Sequence, residues 1–257
     1  MSTNLNPVNK PPGLQADWMI RPSLIPGCPP GLEYLTQLDR IKVEQLVSLT
    51  EVFTGWDTNN KYVLRNANNQ QFLYVFEESK GCMRICCGSQ RSFKFHVVDN
   101  MNQEVMQISR DFKCCAGCCW CAGCCDGCAY EVKVEAPPGN IIGSIRQKGS
   151  LWKDNLDILD ENGNTILKIE GPCCIWDGAC FPCDNEFRLL TSDGISQIGK
   201  LTKEYAGFIK ELVSLADQFT ISFPMDLSVK AKGTLIGALL LIDFMNFEDH
   251  EDDSSSS

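Results

Sequence analysis

The chain has 257 residues, 44% of them hydrophobic and 22% charged, a composition typical of a folded protein rather than a disordered one. Its formal net charge of −10 argues against binding by bulk charge to nucleic acid, which is therefore not an expected partner. Half of that charge lies on five carboxylates near the end of the chain: Glu248, Asp249, Glu251, Asp252 and Asp253.

Sixteen cysteines are present, which in a small secreted protein would suggest a disulfide framework. Residues 1–30, however, contain no basic start followed by an apolar run, so we expect no export signal. In a reducing cytosol, thiols are expected to be lipidated, metal-bound or free rather than paired.

Three segments are predicted. Residues 1–30 hold seven of the twelve prolines and are expected to form a flexible arm, part of which could be held to a surface by Leu14, Trp18, Met19 and Ile20. Residues 31–247 are expected to form the folded domain, beginning with a short helix over 32–39. Residues 248–257 form an acidic, serine-rich tail.

Most of the domain carries a β pattern. Residues 130–135 and 225–232 alternate between apolar and polar side chains, which predicts a strand in each segment. Four hairpins are predicted around clusters of turn-forming residues, over 62–76, 93–108, 156–169 and 187–201. A hairpin, a group of cysteines and a second hairpin occur twice in this order, which predicts two similar halves of an all-β sandwich or barrel.

The end of the domain has a different pattern. Residues 233–242 are apolar and carry no charge, and Asp243 follows them. A membrane anchor and a core helix are the two interpretations. Because a spanning helix needs about 20 apolar residues, the pattern favours a core helix, which the interior of a barrel could accommodate.

Eight cysteines lie within residues 114–128. The favoured interpretation is S-acylation of an accessible loop, since several acyl chains together give stable membrane attachment. The second is metal binding, because four thiols follow a C-x-x-C rhythm: Cys115, Cys118, Cys121 and Cys124. The third is a reactive loop with no role.

No enzymatic motif is found, since the chain has no P-loop, no G-x-G-x-x-G and no G-x-S-x-G. Of the two histidines, one lies in the acidic tail and the other, His96, lies in a strand pattern. A histidine in a strand is more often structural than catalytic. The sequence therefore gives little support to a hydrolase or a kinase.

Several segments resemble the phospholipid scramblases, in order along the chain from Cys28 to Glu248. They are 28–35, 49–55, 58–62, 86–88, 99–101, the cysteine run, 136–139, 199–200, 223–227 and 242–245. The resemblance implies a tubby-like fold, a closed β-barrel around a buried hydrophobic C-terminal helix. It also implies calcium-stimulated, ATP-independent, bidirectional movement of phospholipids between the leaflets of the plasma membrane.

The resemblance carries further expectations to particular residues. Palmitoylation in the cysteine run would fall on Cys114, Cys115, Cys118, Cys119, Cys121, Cys124 and Cys125. The family's calcium segment corresponds to residues 215–226, where Asp217 and Asp226 are the candidate ligands. In an EF-like loop the first position supplies an oxygen ligand and the sixth is glycine, whereas here these positions are Leu215 and Thr220. We therefore expect this segment to bind calcium with millimolar affinity or not at all.

The expected location is the cytoplasmic face of the plasma membrane, with membrane phospholipids as partners. Residues 199–205 match a nuclear import signal of some family members, but Glu204 dilutes its charge and an ordinary strand end is favoured. We also expect that protein without acyl chains can enter the nucleus. The proline-rich arm is expected to offer a site for protein partners. The alternative function is an acylated interaction or regulatory module that moves no lipid itself.

Overall fold

The computed structural model describes residues 17–46, 60–78, 91–113, 116, 121–123, 127–150, 153–172, 185–204 and 215–247. A short 3-10 helix over Glu33–Gln37 precedes the first strand, and one α-helix, α1, covers Val229–Asn246. The twelve strands are β1 (Arg40–Leu46), β2 (Lys61–Arg65), β3 (Gln71–Glu77), β4 (Phe93–Val98), β5 (Glu104–Arg110), β6 (Glu131–Glu135), β7 (Ile141–Lys148), β8 (Asn155–Asp160), β9 (Thr165–Glu170), β10 (Asn185–Thr191), β11 (Gln197–Glu204) and β12 (Leu215–Ser222).

The strands form one closed barrel in which each strand pairs antiparallel with its neighbours in sequence. The ring closes where β1 pairs with β12, with Ile41 opposite Ile221 and Val43 opposite Phe219. Closure satisfies the backbone groups that an open sheet would leave unpaired at its edges. The prediction of an all-β barrel is confirmed.

All four predicted hairpins are present, as β2–β3, β4–β5, β8–β9 and β10–β11. Three of their turns share one chemistry, in which a side-chain oxygen of the first residue accepts two backbone N–H groups from the turn. Asp160 Oδ1, for example, accepts from the amides of Asn162 (2.9 Å) and Asn164 (2.8 Å), while Gly163 adopts φ +84°. This positive φ suits glycine, which explains the Asn-Gly sequence at the turn.

The two predicted halves occupy opposite sides of the barrel. The first pair of hairpins covers β2 to β5 and the second covers β8 to β11, so equivalent strands are six positions apart in a ring of twelve. The connections of 78–92 and 171–184, which separate the hairpins of each pair, begin on opposite sides of the same barrel end.

Helix α1 fills the barrel. Every residue from Ala231 to Phe244 is buried, including the charge-free stretch of residues 233–242. The helix lies close to the wall at Gly237, where an added Cβ would lie 2.9 Å from Val134 Cγ2 and 3.2 Å from Ile145 Cδ1. The core-helix interpretation is therefore confirmed, and the packing requires a small residue at this position.

One predicted strand is wrong. Residues 225–232 form a turn and the first turn of α1, because Ser228 caps the helix by accepting the amide of Ala231 at 3.2 Å. Alternation over so few residues did not distinguish a strand from a helix start.

Residues 17–32 lie against the barrel. Trp18 forms a bridge to Gln71 and Met19 is buried, as hypothesised, whereas Ile20 is 88% exposed. Arg21 reaches the carboxylates of Glu33 (3.4 Å) and Asp99 (3.3 Å), both buried. The arm's remaining residues, 1–16, lie outside the described residues.

Candidate functional site

The topology gives the two ends of the barrel different chemistry. All odd-numbered strands run in the same direction, so the connections that follow them begin at one end. Those connections hold three cysteines between β3 and β4, eight between β5 and β6, and four between β9 and β10. We call this end the thiol end. The hairpin turns lie at the opposite end, the tight-turn end, and the sixteenth cysteine is Cys28.

Of the seven cysteines expected to be acylated, the structure describes Cys121. It is exposed and begins a short 3-10 turn, Cys121–Gly123. Its neighbour in the run, Cys128, is half-buried, and Phe112 beside the end of β5 is 46% exposed. The other six predicted cysteines lie outside the described residues: Cys114, Cys115, Cys118, Cys119, Cys124 and Cys125.

Buried charges hold α1 at the thiol end. The hydroxyl of Tyr62 donates to Asp243 Oδ2 at 2.6 Å. Arg91 binds Glu77 at 2.9 Å, and its guanidinium lies 4.3 Å from the ring centre of Phe244. Charged groups that are paired and hydrogen-bonded can be buried without an uncompensated charge. This network fixes the helix end just before the acidic tail begins.

A second buried charge holds the start of α1 at the tight-turn end. Lys232 is fully buried, and its Nζ donates to the carbonyl oxygens of Leu35 (3.0 Å), Leu38 (2.7 Å) and Met225 (2.7 Å). Desolvation lowers the pKa of Lys232, although the nearby carboxylates of Asp39 and Asp226 act in the opposite direction. The ammonium joins the helix, the 3-10 helix and the loop after β12.

Sequence patterns missed the role of Lys232, because the alternation over 225–232 predicts a strand with Lys232 among its polar residues. The signal that could have found it is the serine N-cap at Ser228, which would start the helix before Lys232. Asp243 was noticed only as a charge that interrupts an apolar run. Its partner, Tyr62, is 181 residues away in sequence.

Comparison with known proteins gives a family. The family model described as Scramblase matches residues 19–249, nearly the whole chain. The chain belongs to the scramblase family. It is 40% identical to phospholipid scramblase 1 of rat and of human over 232 residues. The match covers 90% of this chain, 66% of the rat protein and 70% of the human protein. It is 39% identical to phospholipid scramblase 2 of cattle over 245 residues, covering 94% of this chain and 80% of the relative.

The two candidate calcium ligands of this scramblase-family chain lie on different parts of one segment. Asp217 belongs to β12, whereas Asp226 is exposed in the turn between β12 and α1, at the tight-turn end. The strand continues for five residues beyond Asp217, a span of roughly 16 Å. Among the described residues, no group of three or more Cys, His, Asp or Glu side chains is arranged to hold a metal ion.

Two other predicted features are strand residues. His96 lies in β4, where Nδ1 is 2.7 Å from Glu104 Oε1 and the ring stacks on Phe76 with centroids 5.2 Å apart. The stretch that matches a nuclear import signal belongs largely to β11, where Lys200 pairs with Glu186 at 2.7 Å and Lys203 is buried.

Within the described part of the chain, no helix combines the length and apolar character needed to cross a bilayer.

Proposed function

We propose that this chain is a membrane-attached scramblase, which promotes bidirectional, ATP-independent exchange of phospholipids between leaflets and makes or breaks no covalent bond in the lipid. The observation that carries the proposal is the family match over residues 19–249, which includes every described strand and α1. The relatives that it resembles at 36–40% identity are named phospholipid scramblases. Phospholipids of the plasma membrane are the proposed substrates.

The filled barrel restricts the route that a lipid could take. Residues 231–244 of α1 are buried within the ring, and apolar cores are packed without space for a guest of lipid size. We therefore propose that exchange takes place in the bilayer beside the protein, where a protein that disturbs headgroup packing lowers the barrier, and not through the barrel.

Attachment is proposed to occur by S-acylation of the cysteine run on the cytoplasmic face. In that reaction a cysteine sulfur attacks the carbonyl carbon of an acyl thioester, the new thioester forms, and the donor's thiol leaves with the proton. One acyl chain binds a bilayer only marginally, whereas two or more give stable anchoring. The exposed Cys121 supports this proposal, as does the sequence, which puts fifteen cysteines in connections that begin at one barrel end.

The attachment test replaces Cys118, Cys119, Cys121, Cys124 and Cys125 together by serine and follows membrane fractionation. We expect the variant to move to the cytosol or the nucleus, while Cys28→Ser, the matched control at the other barrel end, stays on membranes. Unchanged fractionation of the fivefold variant would contradict acylation at these positions. Loss of bound zinc in that variant would favour the metal interpretation instead.

Calcium is proposed as a weak effector through Asp217 and Asp226. With two carboxylates in the segment, calorimetry should give millimolar affinity or no heat, and Asp226→Ala should change the free energy of unfolding little because the side chain is exposed. Micromolar affinity that either aspartate substitution abolishes would contradict this weak-site proposal.

A second candidate function is an acylated interaction module that moves no lipid. The buried helix favours it, since a barrel with a filled interior offers no internal path for lipid. Protein partners could then use the proline-rich arm, and unacylated protein could enter the nucleus.

The two candidates are separated by reporter-lipid exchange in vesicles that contain purified, acylated, full-length protein. Exchange that rises with the protein-to-lipid ratio supports the scramblase proposal. Vesicle binding without exchange supports the interaction module.

A further inference from the structure

We propose that an apolar patch at the tight-turn end of the barrel inserts between the lipids at the surface of a bilayer. Seven of the eight large hydrophobic side chains that are exposed among the described residues lie at this end, and five of them form the patch. These five are Ile20, Leu24, Ile25, Met101 and Ile141. The inference rests on the proposed function in taking phospholipids as the partner, and it does not depend on which cysteines are acylated.

Three neighbouring parts of the fold supply the patch: the N-terminal segment, the β4–β5 turn and the start of β7. Arg21 joins the first two, because its guanidinium lies 3.3 Å from the carboxylate of Asp99 in the turn. Gly31 lies directly against β5, where an added Cβ would overlap the side chain of Val105. β5 pairs with β6, and the β6–β7 hairpin leads from there to Ile141. The five apolar residues therefore belong to one side of the barrel end.

The patch carries little charge. Arg21 is the one charged residue within 20–32, and Asp99 is the one within 99–103. These two pair with each other, and the carboxylate of Asp99 is buried. Residues 136–141 contain no charged residue. Aliphatic side chains transfer favourably from water to acyl chains, whereas an ionised group opposes the transfer, so this side of the end suits insertion.

The chemistry of the patch fits lipid better than a protein partner. Its five large side chains are aliphatic or thioether groups, whereas the cores of protein interfaces are enriched in aromatic residues and arginine. Hydrocarbon also disfavours unpaired backbone groups. The amides of Met101 and Gln103 are already bound, since they donate to Asp99 Oδ1 at 2.9 and 3.0 Å. Pro22 and Pro26 have no amide hydrogen to satisfy.

Two glutamates border the patch, and each has a partner. Glu104 Oε1 lies 2.7 Å from Nδ1 of His96, and Glu135 Oε2 accepts the amide of Gly139 at 2.7 Å. Both glutamates belong to strands of the barrel wall, β5 and β6, rather than to the turns. The turns can therefore enter the bilayer while these carboxylates stay at the level of the headgroups.

The other side of the same barrel end provides a matched control. Ile195 is 82% exposed, close to the 75% of Leu24, and Met225 is 51% exposed. Each of the two control residues lies within two positions of an exposed aspartate, Asp193 or Asp226. Neither can enter hydrocarbon without bringing a carboxylate to the interface, so we expect both to stay out of the bilayer.

The patch is compatible with the proposed attachment by acyl chains. β5 and β6, which border the patch at the tight-turn end, are the strands that residues 111–130 connect at the thiol end. A barrel lying along these two strands can bring both the patch and acyl chains on that connection to one bilayer. The patch would then add a second membrane contact to the acyl chains, and two contacts bind more stably than one.

The first experiment places the photocrosslinking residue p-benzoylphenylalanine at position 24, 101 or 195 of the full-length, acylated chain. Thermal melting of each protein checks that the barrel is intact. Each protein is then bound to vesicles of phosphatidylcholine and phosphatidylserine that contain a phospholipid with an alkyne in its acyl chain. Flotation isolates the bound fraction before irradiation, and a fluorescent azide reveals protein that is crosslinked to lipid.

We expect lipid crosslinking at positions 24 and 101 to exceed that at position 195 several-fold. Crosslinking at position 195 that equals or exceeds the other two would overturn the proposal, as would the absence of lipid crosslinks at 24 and 101 in floated protein. Crosslinks between two copies of the chain at 24 or 101, without lipid crosslinks, would overturn it in favour of self-association. Protein that fails to float would also overturn it, because an inserting patch adds affinity.

The second experiment measures the contribution of the patch without acyl chains, which neutral hydroxylamine removes by cleaving their thioesters. Leu24→Asp combined with Met101→Asp is compared with Ile195→Asp combined with Met225→Asp, so both proteins gain two negative charges. Vesicle affinity should fall at least about tenfold in the first pair and less than about twofold in the second. Equal losses would overturn the proposal. Neither experiment measures lipid exchange, so a failure of the scramblase proposal is distinguishable from a failure of the patch.

Discussion

Replacing Lys232 by methionine tests how α1 is held in the barrel. Methionine keeps the unbranched shape and nearly the volume of lysine but removes the ammonium group, which donates to two buried and one partly buried carbonyl oxygen at 2.7 to 3.0 Å. The variant therefore removes hydrogen bonds without opening a large cavity.

The expected loss in the free energy of unfolding is the difference between two opposing contributions. Hydrogen bonds to a charged group contribute about 1.5–3 kcal/mol each, so three of them amount to roughly 5–9 kcal/mol. Burial of the ammonium costs several kcal/mol, and the same desolvation lowers the pKa of Lys232. The difference predicts that Lys232→Met lowers the free energy of unfolding by about 2–4 kcal/mol, a large part of the 5–15 kcal/mol typical of a domain.

The assay is urea unfolding in detergent-free buffer, with Lys230→Met as the matched control. Lys230 is two residues away, is 40% exposed and pairs with Glu161 on the surface. Its replacement should change stability by less than about 1 kcal/mol. Hydrogen exchange of residues 33–38 should accelerate in Lys232→Met alone, because the ammonium holds that segment through Leu35 and Leu38. A Lys232→Met protein as stable as the control would refute the proposed clamp.

Three other predictions concern the core, the outer wall and the tail. Gly237→Ala should lower stability by about 1–3 kcal/mol by overpacking against Val134, despite a better helix propensity; a higher melting temperature would contradict this. Burial raises the pKa of Tyr74 to about 12, so between pH 10 and 12 the folded chain keeps a proton that the unfolded chain has lost. Stability should fall by up to about 2–3 kcal/mol across that window, and Tyr74→Phe should remove this dependence in alkaline unfolding curves. Neutralising the five carboxylates of 248–253 should tighten binding to anionic vesicles at low salt, because α1 ends at the thiol end. Unchanged vesicle binding would contradict attachment through the thiol end.

Local sequence chemistry was sufficient for the hairpins. Turns such as Asp160 to Asn164 combine an aspartate that accepts two turn amides with a glycine at positive φ, and both requirements are visible as residue types. The apolar stretch after Lys232 likewise favoured a core helix, because its length and its neighbouring charges argued against a simple spanning segment.

Long-range contacts could not be predicted in the same way. The carbonyl acceptors of Lys232 at Leu35 and Leu38 are 197 and 194 residues away, and they meet it only after the barrel closes. The cysteines were conspicuous as a composition, but the barrel end at which their connections begin depends on the number and direction of the strands between them. The cysteine spacing alone could not show that these connections begin at the same end of the barrel. The strand order shows it.

The most direct test of the central claim is the rate of reporter-lipid exchange in vesicles that contain purified, acylated, full-length protein. Vesicles carry a fluorescent phospholipid in both leaflets, and a membrane-impermeant quencher measures how much of it becomes accessible from outside. The account predicts loss of inner-leaflet fluorescence without ATP, and markedly slower loss with the fivefold cysteine variant, which should not stay attached. Fluorescence that remains protected in vesicles with demonstrably bound wild-type protein would contradict scramblase activity and leave the interaction module as the function.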